Sequence, residues 1–256
     1  MQVYWLEQTD EDLPKSDTWL SPREVSLLSS LRFAKRRADW QLGRWTAKHA
    51  VASYWNLDDS ASVLSNIEVR PAPSGAPELF CENGLAPLTI SLSHRNNRAI
   101  CFITRPAVDL GCDLELVEPH SDTFVSDYFA TDEQALVQQQ SLADRPLVLA
   151  VLWSAKESAL KALHVGLRLD TRRVTVEPVA LSVTPNRWNP LLVRYNDSQI
   201  FNGWWQIAND MVRTVVAAPP PEPPIPLETW THCRGGDCMS PTRDGPTKGT
   251  ALTTKA

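Results

Sequence analysis

Asp113 and Glu115 stand two apart in the run AVDLGCDLELVE, and Glu157 and Lys161 stand four apart in LWSAKESALKAL. Side chains alternate across a strand, so the two acids share one face while Leu114 and Leu116 share the other. On a helix, four-residue steps line Trp153, Glu157 and Lys161 along one stripe. Each pattern has an ordinary explanation. Acid alternation suits a half-exposed antiparallel strand, and a Glu–Lys pair at i,i+4 is a common surface feature worth about 0.2–0.5 kcal/mol. A solvated stripe rarely begins with a tryptophan, however. Together Asp113, Glu115 and Glu157 offer the hard oxygen ligands that Mg²⁺ takes, commonly beside a substrate phosphate.

The cations supply the other half of that chemistry. The stretch LRFAKRRADWQLGRWTAKHA holds Arg32, Lys35, Arg36, Arg37, Arg44 and Lys48 against one acid, Asp39. At helical spacing Arg37, Gln41, Arg44 and Lys48 fall on one stripe. Such a cluster suits either a solvated face or a small polyanion. Ser93-His94 ends a strand just before a turn carrying Arg95 and Arg98, a placement suited to a pyrophosphate. Glu133 lies in YFATDEQAL, where Thr131 and Gln134 suggest a capping box. No Walker loop and no G-x-G-x-x-G is present, which argues against P-loop and dinucleotide chemistry.

These groups need elements to hold them. A strand over QVYWLEQ leads to a helical stretch from about Ser21 to Trp55, broken near Phe33. After the Pro-rich PAPSGAP come strands over TISLSH and AICFIT, turned at Asn96 and Asn97, and then the acid-bearing strand. The second half repeats this order. A helix from about Thr131 and a longer one over LWSAKESALKAL precede strands over VTVEPVALSV, LLVRYN, WWQIAN and VRTVVAA, the last two turned at Asn209-Asp210. Helices before a meander in each half predict an α+β fold. Trp45-Thr46-Ala47-Lys48 echoes Trp153-Ser154-Ala155-Lys156, so two similar halves related by a pseudo-twofold axis are expected, with the site in the cleft between them. The divisions expected are 1–107, 108–218 and a disordered Pro-rich tail over 219–256.

Composition narrows the class. A net charge of −5 argues against general nucleic-acid binding. No apolar run nears the roughly 18 residues of a membrane span, and the opening MQVYWLEQTDEDLPKSD lacks a signal-peptide layout. The five cysteines form no C-x-x-C pair, so neither a disulfide framework nor a zinc site is expected. The expectation is a cytoplasmic protein.

In order, GAP at 75–77, SLSH at 91–94, GCDLE at 111–115, FATDE at 129–133 and WSAKESALK at 153–161 resemble the surfactin-type 4'-phosphopantetheinyl transferases. That resemblance implies two acyl-carrier-synthase-like halves acting as a monomer, with coenzyme A and Mg²⁺ between them. It implies transfer of phosphopantetheine to a serine of an acyl, peptidyl or aryl carrier protein. By motif, Asp113, Glu115 and Glu157 would be the metal ligands. Lys161 would pair with phosphate, and Glu157 or Glu133 would take the serine proton. Ser93 and His94 would contact the coenzyme's phosphates, Lys156 would support the phosphate or pantetheine region, and Arg37, Arg44 and Lys48 would be cofactor-binding cations, with the 3'-phosphate ligand open among Arg36, Arg37, Arg44 and Lys48. Residues 120–150 are expected to read the carrier. The family often has G-K-P where this chain has Gly75-Ala76-Pro77, and Arg95 is offered as the replacement cation. The missing lysine supports one alternative, a non-catalytic module binding coenzyme A or the carrier.

Overall fold

The computed structural model describes residues 1–166, 169–178, 184–196 and 199–228. The chain begins with β1 (Tyr4–Thr9), α1 (Pro22–Ser30), α2 (Ala34–Tyr54) and α3 (Ala61–Ser65). Strands β2 (Glu68–Pro71), β3 (Pro77–Cys81), β4 (Gly84–Leu85), β5 (Thr89–Arg95), β6 (Arg98–Thr104) and β7 (Asp109–Leu116) follow. Then come α4 (Asp122–Tyr128), α5 (Thr131–Gln138) and α6 (Arg145–Ala162). Strands β8 (Val174–Pro178), β9 (Asn189–Tyr195), β10 (Gln199–Ala208), β11 (Met211–Ala218) and β12 (Ile225–Pro226) complete it. This is an α+β arrangement, as expected from the sequence.

Local chemistry sets the boundaries. Ser21 caps α1 by accepting from the Glu24 amide, Pro22 opens the helix, and Glu24 closes a capping box. The chain is extended at Leu31 and Phe33, which separates α1 from α2 where the sequence placed a break. Asn96 and Asn97 both adopt positive φ, as a tight turn between twisted antiparallel strands requires. Asn209 does the same between β10 and β11.

Two larger sheets carry the molecule, ordered β12-β1-β6-β5 and β7-β11-β10-β9-β8, beside a small sheet β2-β3-β4. Strand alternation divides their side chains between layers. Cys101 and Ile103 of β6 pack beneath α2 with Ala47, Ala50 and Val51. Ile100 and Phe102 point the other way, into a second layer shared with Cys112 and Leu114 of β7 and Val215 of β11. A third core lies under α6, where Val151, Ala155 and Ala159 meet Val193, Trp205 and Val216. The sheets are thus stacked face to face, each with one long helix on its outer side. An ion-pair network joins them: Glu7 of β1 accepts from Arg213 of β11 at 2.5 and 2.9 Å and from Arg98 at 3.2 Å.

The C-terminal segment departs from expectation. Residues 219–228, read from composition as disordered, run along the edge of β1. β12 pairs with β1 in parallel, Tyr4 opposite Ile225 and Trp5 opposite Pro226. Ile225 and Leu227 donate to the carbonyls of Val3 and Trp5, and Trp204 Nε1 donates to Pro221 O at 3.0 Å. A proline-rich chain cannot form a full ladder, yet it satisfies a sheet edge where alternate amides face inward. Residues 229–256 lie outside the described residues.

Candidate active site

Asp113 lies on the face of β7 covered by α6. It is only 4% exposed, so the solvated-strand explanation does not hold for it. Gly111, on the same face two residues earlier, explains how the helix comes so close. A Cβ built there would meet the Ser158 carbonyl oxygen at 1.8 Å. The helix backbone rests where a side chain would stand, and this brings Lys161 down onto the strand. Lys161 Nζ donates to the Cys112 carbonyl at 2.9 Å and to Asp113 Oδ1 at 2.8 Å.

From the opposite side β5 supplies two serines. Ser93 Oγ donates to Asp113 Oδ1 at 2.8 Å, and Ser91 Oγ accepts from the Cys112 amide at 2.9 Å. Asp113 Oδ1 therefore has two donors, whereas Oδ2 is buried without a hydrogen-bond partner among the described residues. An orphaned carboxylate oxygen in a polar cluster is costly unless a cation or water meets it.

Glu115 and Glu157 border this centre. Burial, then the negative charge of Asp113, pushes the Glu115 carboxyl up to about 7 against the opposing pull of Arg95. Burial and Asp113 raise the Glu157 carboxyl as well. Burial alone would lower the Lys161 ammonium, but Asp113, Cys112 and Glu157 together raise it, so the lysine stays charged. Three acids and one lysine thus share a poorly solvated space with excess negative charge. Among the described residues, however, no three His, Cys, Asp or Glu side chains stand assembled around a single metal position. The expected ligand trio is therefore not preformed. Lys161 neutralises Asp113 from one side, and the Arg95 guanidinium lies 3.5 Å from Glu115. The donor set still fits Mg²⁺ in chemistry, being hard oxygens with one buried oxygen unpartnered.

Two cavities flank the centre. The larger, about 560 Å³, is walled by Lys35, Arg36, Trp40 and Arg44 of α2, with Ser93 and His94 of β5 opposite. Arg44 lies over the Trp40 ring, 4.8 Å from its centroid. The smaller, about 240 Å³, is bounded by the Ser74–Pro77 turn, apolar residues including Leu110 and Leu160, and Lys161 with His164. Ser93 lines one cavity, Lys161 lines the other, and both donate to the same oxygen of Asp113.

Several sequence expectations are corrected here. Lys48 is fully buried, and its ammonium donates to Trp19 O at 3.0 Å, to Leu64 O at 3.0 Å and to Glu24 at 2.5 Å. Lys156 is also fully buried and donates to Thr171 O, Val174 O and Glu133. An ammonium has three donors, so neither lysine has one left for a ligand. Glu133, held by Lys156 and by the amides of Ala130 and Val176, is likewise unavailable as a base. The expected capping box does not form: Ala130 rather than Thr131 is at the cap and has no side-chain acceptor, so only the reciprocal bond is made, Glu133 accepting from the Ala130 amide. Arg37 is exposed and does not line the basic cavity. Arg95 pairs with Glu115 and Glu118, and is not among the residues bounding the Ser74–Pro77 cavity. Sequence reasoning missed Trp40 and His164. Trp40 sits four residues before Arg44, a helical spacing that could have shown it.

Residues 109–217 match the family described as ACPS, the 4'-phosphopantetheinyl transferase superfamily. Enterobactin synthase component D from Salmonella austin is 28% identical over 220 residues, covering 84% of this chain and 82% of that protein. Two solved holo-[acyl-carrier-protein] synthases are more distant. The Helicobacter pylori enzyme, in complex with coenzyme A, is 15% identical with a TM-score of 0.33, over 41% of this chain and 99% of that one. The Thermotoga maritima enzyme is 18% identical with a TM-score of 0.32, over 50% and 74%.

Proposed function

We propose that this protein transfers the 4'-phosphopantetheine group of coenzyme A to a serine hydroxyl of an acyl, peptidyl or aryl carrier protein. The observation that carries the proposal is the double hold on Asp113. Ser93 and Lys161 tie one buried carboxylate to two cavities, one of them walled by cations. The transferase superfamily match over 109–217 supports the same reaction.

The chain's residues divide the work. Lys35, Arg36, Arg44 and His94 form a polar wall for the coenzyme's phosphates. Lys161, charged and aimed between the cavities, pairs with pyrophosphate oxygens as a point charge. Asp113, through its free Oδ2, with Glu115 and Glu157 would hold Mg²⁺, which when bound offsets charge on the pyrophosphate. The carrier serine oxygen attacks the phosphorus bearing the pantetheine, and its bond to the leaving phosphate breaks. Adenosine 3',5'-bisphosphate departs with that electron pair. Glu157, directly or through a bound water, takes the serine proton.

The halves 1–107 and 108–218 are read as repeats about a pseudo-twofold axis, supported by the matching surroundings of Lys48 and Lys156. Residues 120–150 are the proposed carrier-reading surface. A chain holding both cavity walls suits a cytoplasmic monomer; no helix among the described residues is long and apolar enough to cross a membrane.

Purified protein with coenzyme A and Mg²⁺ should add a phosphopantetheine mass to at least one member of a carrier panel. Binding of coenzyme A without any mass shift across the panel, beside a competent control enzyme, would instead establish the non-catalytic module.

A further inference from the structure

Two buried ion pairs repeat one another on opposite sides of the molecule. Glu24 Oε2 accepts from the Ser21 amide at 3.0 Å and Oε1 from the Val69 amide at 3.1 Å. Glu133 Oε2 accepts from the Ala130 amide at 2.8 Å and Oε1 from the Val176 amide at 2.9 Å. Each carboxylate also meets a fully buried lysine, Lys48 or Lys156, whose other donors go to backbone carbonyls. Each ammonium lies 5.5 Å from an aromatic centroid, Trp19 in one case and Phe129 in the other.

What each pair joins is also the same. Glu24 links the start of α1 to α2 and to β2. Glu133 links the start of α5 to α6 and to β8. Stability alone does not call for such pairs, because well-packed apolar replacements of buried ion pairs are often neutral or stabilising. Their particular contribution is direction. Three acceptors converge on each ammonium and fix the rotation and height of the helix that carries it. Those two helices carry the two sides of the site. α2 presents Arg36, Trp40 and Arg44 to the large cavity, and Glu24 itself lies 4.0 Å from Arg44 Nε. α6 presents Glu157, adjacent to Lys156, and Lys161 to Asp113.

We propose that Glu24–Lys48 and Glu133–Lys156 are positioning pairs of one duplicated design: the first sets the cationic wall on α2, the second sets Glu157 and Lys161 on α6. The proposal rests on the transferase reading, in which the α2 wall binds coenzyme A and the α6 residues act on the reacting phosphate. It therefore requires the two pairs to fail differently.

The test compares Lys48→Met with Glu24→Gln against Lys156→Met with Glu133→Gln, by initial rates, coenzyme A calorimetry and amide exchange. The first variant should weaken coenzyme A binding and raise its KM about tenfold with kcat nearly unchanged; the second should lower kcat about tenfold or more with little change in KM. Exchange should quicken at Val69 in the first and at Val176 in the second, each confined to its own half. The same loss of kcat and KM in both variants, or exchange quickening across both halves together, overturns the proposal. Should the paired variants not fold, Lys48→Arg and Lys156→Arg keep the charge but cannot copy three converging bonds, and the same split is expected. If wild-type protein transfers nothing, the transferase reading fails. Calorimetry and local exchange then still decide whether each pair sets its own helix.

Discussion

The Glu115 side chain is where the electrostatics of the site are most exposed to measurement. It is pushed up to about 7, first by burial and then by Asp113, with Arg95 opposing and Glu157 adding to the rise. An unfolded glutamate ionises near 4.3. Between those values the folded protein binds more protons than the unfolded chain, so stability falls as pH rises. Metal-free protein should therefore lose stability from about pH 4.5 to about pH 7, by roughly 1–3 kcal/mol. Glu115→Gln should flatten that slope in thermal melts taken across the range; an unchanged slope would exclude Glu115 as its source. Asp113 acts differently, because it anchors both Ser93 and Lys161. Asp113→Asn should cut transfer by about 10²–10³-fold, the scale of losing a charged group aimed at the reacting centre. Circular dichroism would confirm that the fold survives, and near-normal turnover in that variant would remove Asp113 from the site.

The α6–β7 contact turns a strand of ordinary appearance into a site. Gly111→Ala places a methyl 1.8 Å from the Ser158 carbonyl and 2.7 Å from the Ala162 amide nitrogen, both backbone atoms that cannot swing aside. The helix must lift, so a loss of about 3 kcal/mol or more is expected, at or beyond the upper end of overpacking costs. Activity should fall with it, since the 2.8 Å contact of Lys161 with Asp113 depends on that approach. Chemical denaturation of Gly111→Ala beside Gly43→Ala, a helical glycine with open space around it, provides the comparison. Elements of this kind were legible in the sequence. Periodicity placed α2, α6, β5, β6 and β7, and the paired asparagines located the hairpin turn at Asn96 and Asn97. The roles of Lys48, Lys156 and Glu133 were not legible. Their partners are largely backbone groups of Trp19, Leu64, Thr171 and Val176, distant along the chain and without side-chain identity to read. A charged residue on a helix looks the same in sequence whether it faces a ligand or a ring of carbonyls.

Taken over the whole molecule, the two sheets meet through a shared apolar layer and a narrow polar seam, and the C-terminal strap closes one edge of that stack. Composition was a poor guide there, because a proline-rich segment lacks a packed core of its own yet can borrow one. Pro221 and Pro224 are buried, the Glu222 amide donates to Met1 O at 2.8 Å, and those of Ile225 and Leu227 donate to Val3 and Trp5. The strap therefore covers the outer edge of β1, the strand whose Glu7 holds Arg213 of the other sheet. A chain ending at residue 218 should be less stable than one ending at 228. The shorter chain loses three backbone hydrogen bonds and the apolar burial of Pro221 and Pro224 together, and its melting temperature should fall accordingly. Because β1 also braces the seam, the shorter chain should show faster amide exchange in β6 as well as in β1. Equal melting curves for the two chains would mean that the strap lies on the sheet without holding it. Exchange that quickens in β1 alone would mean that the seam keeps the two sheets in register without help from the strap.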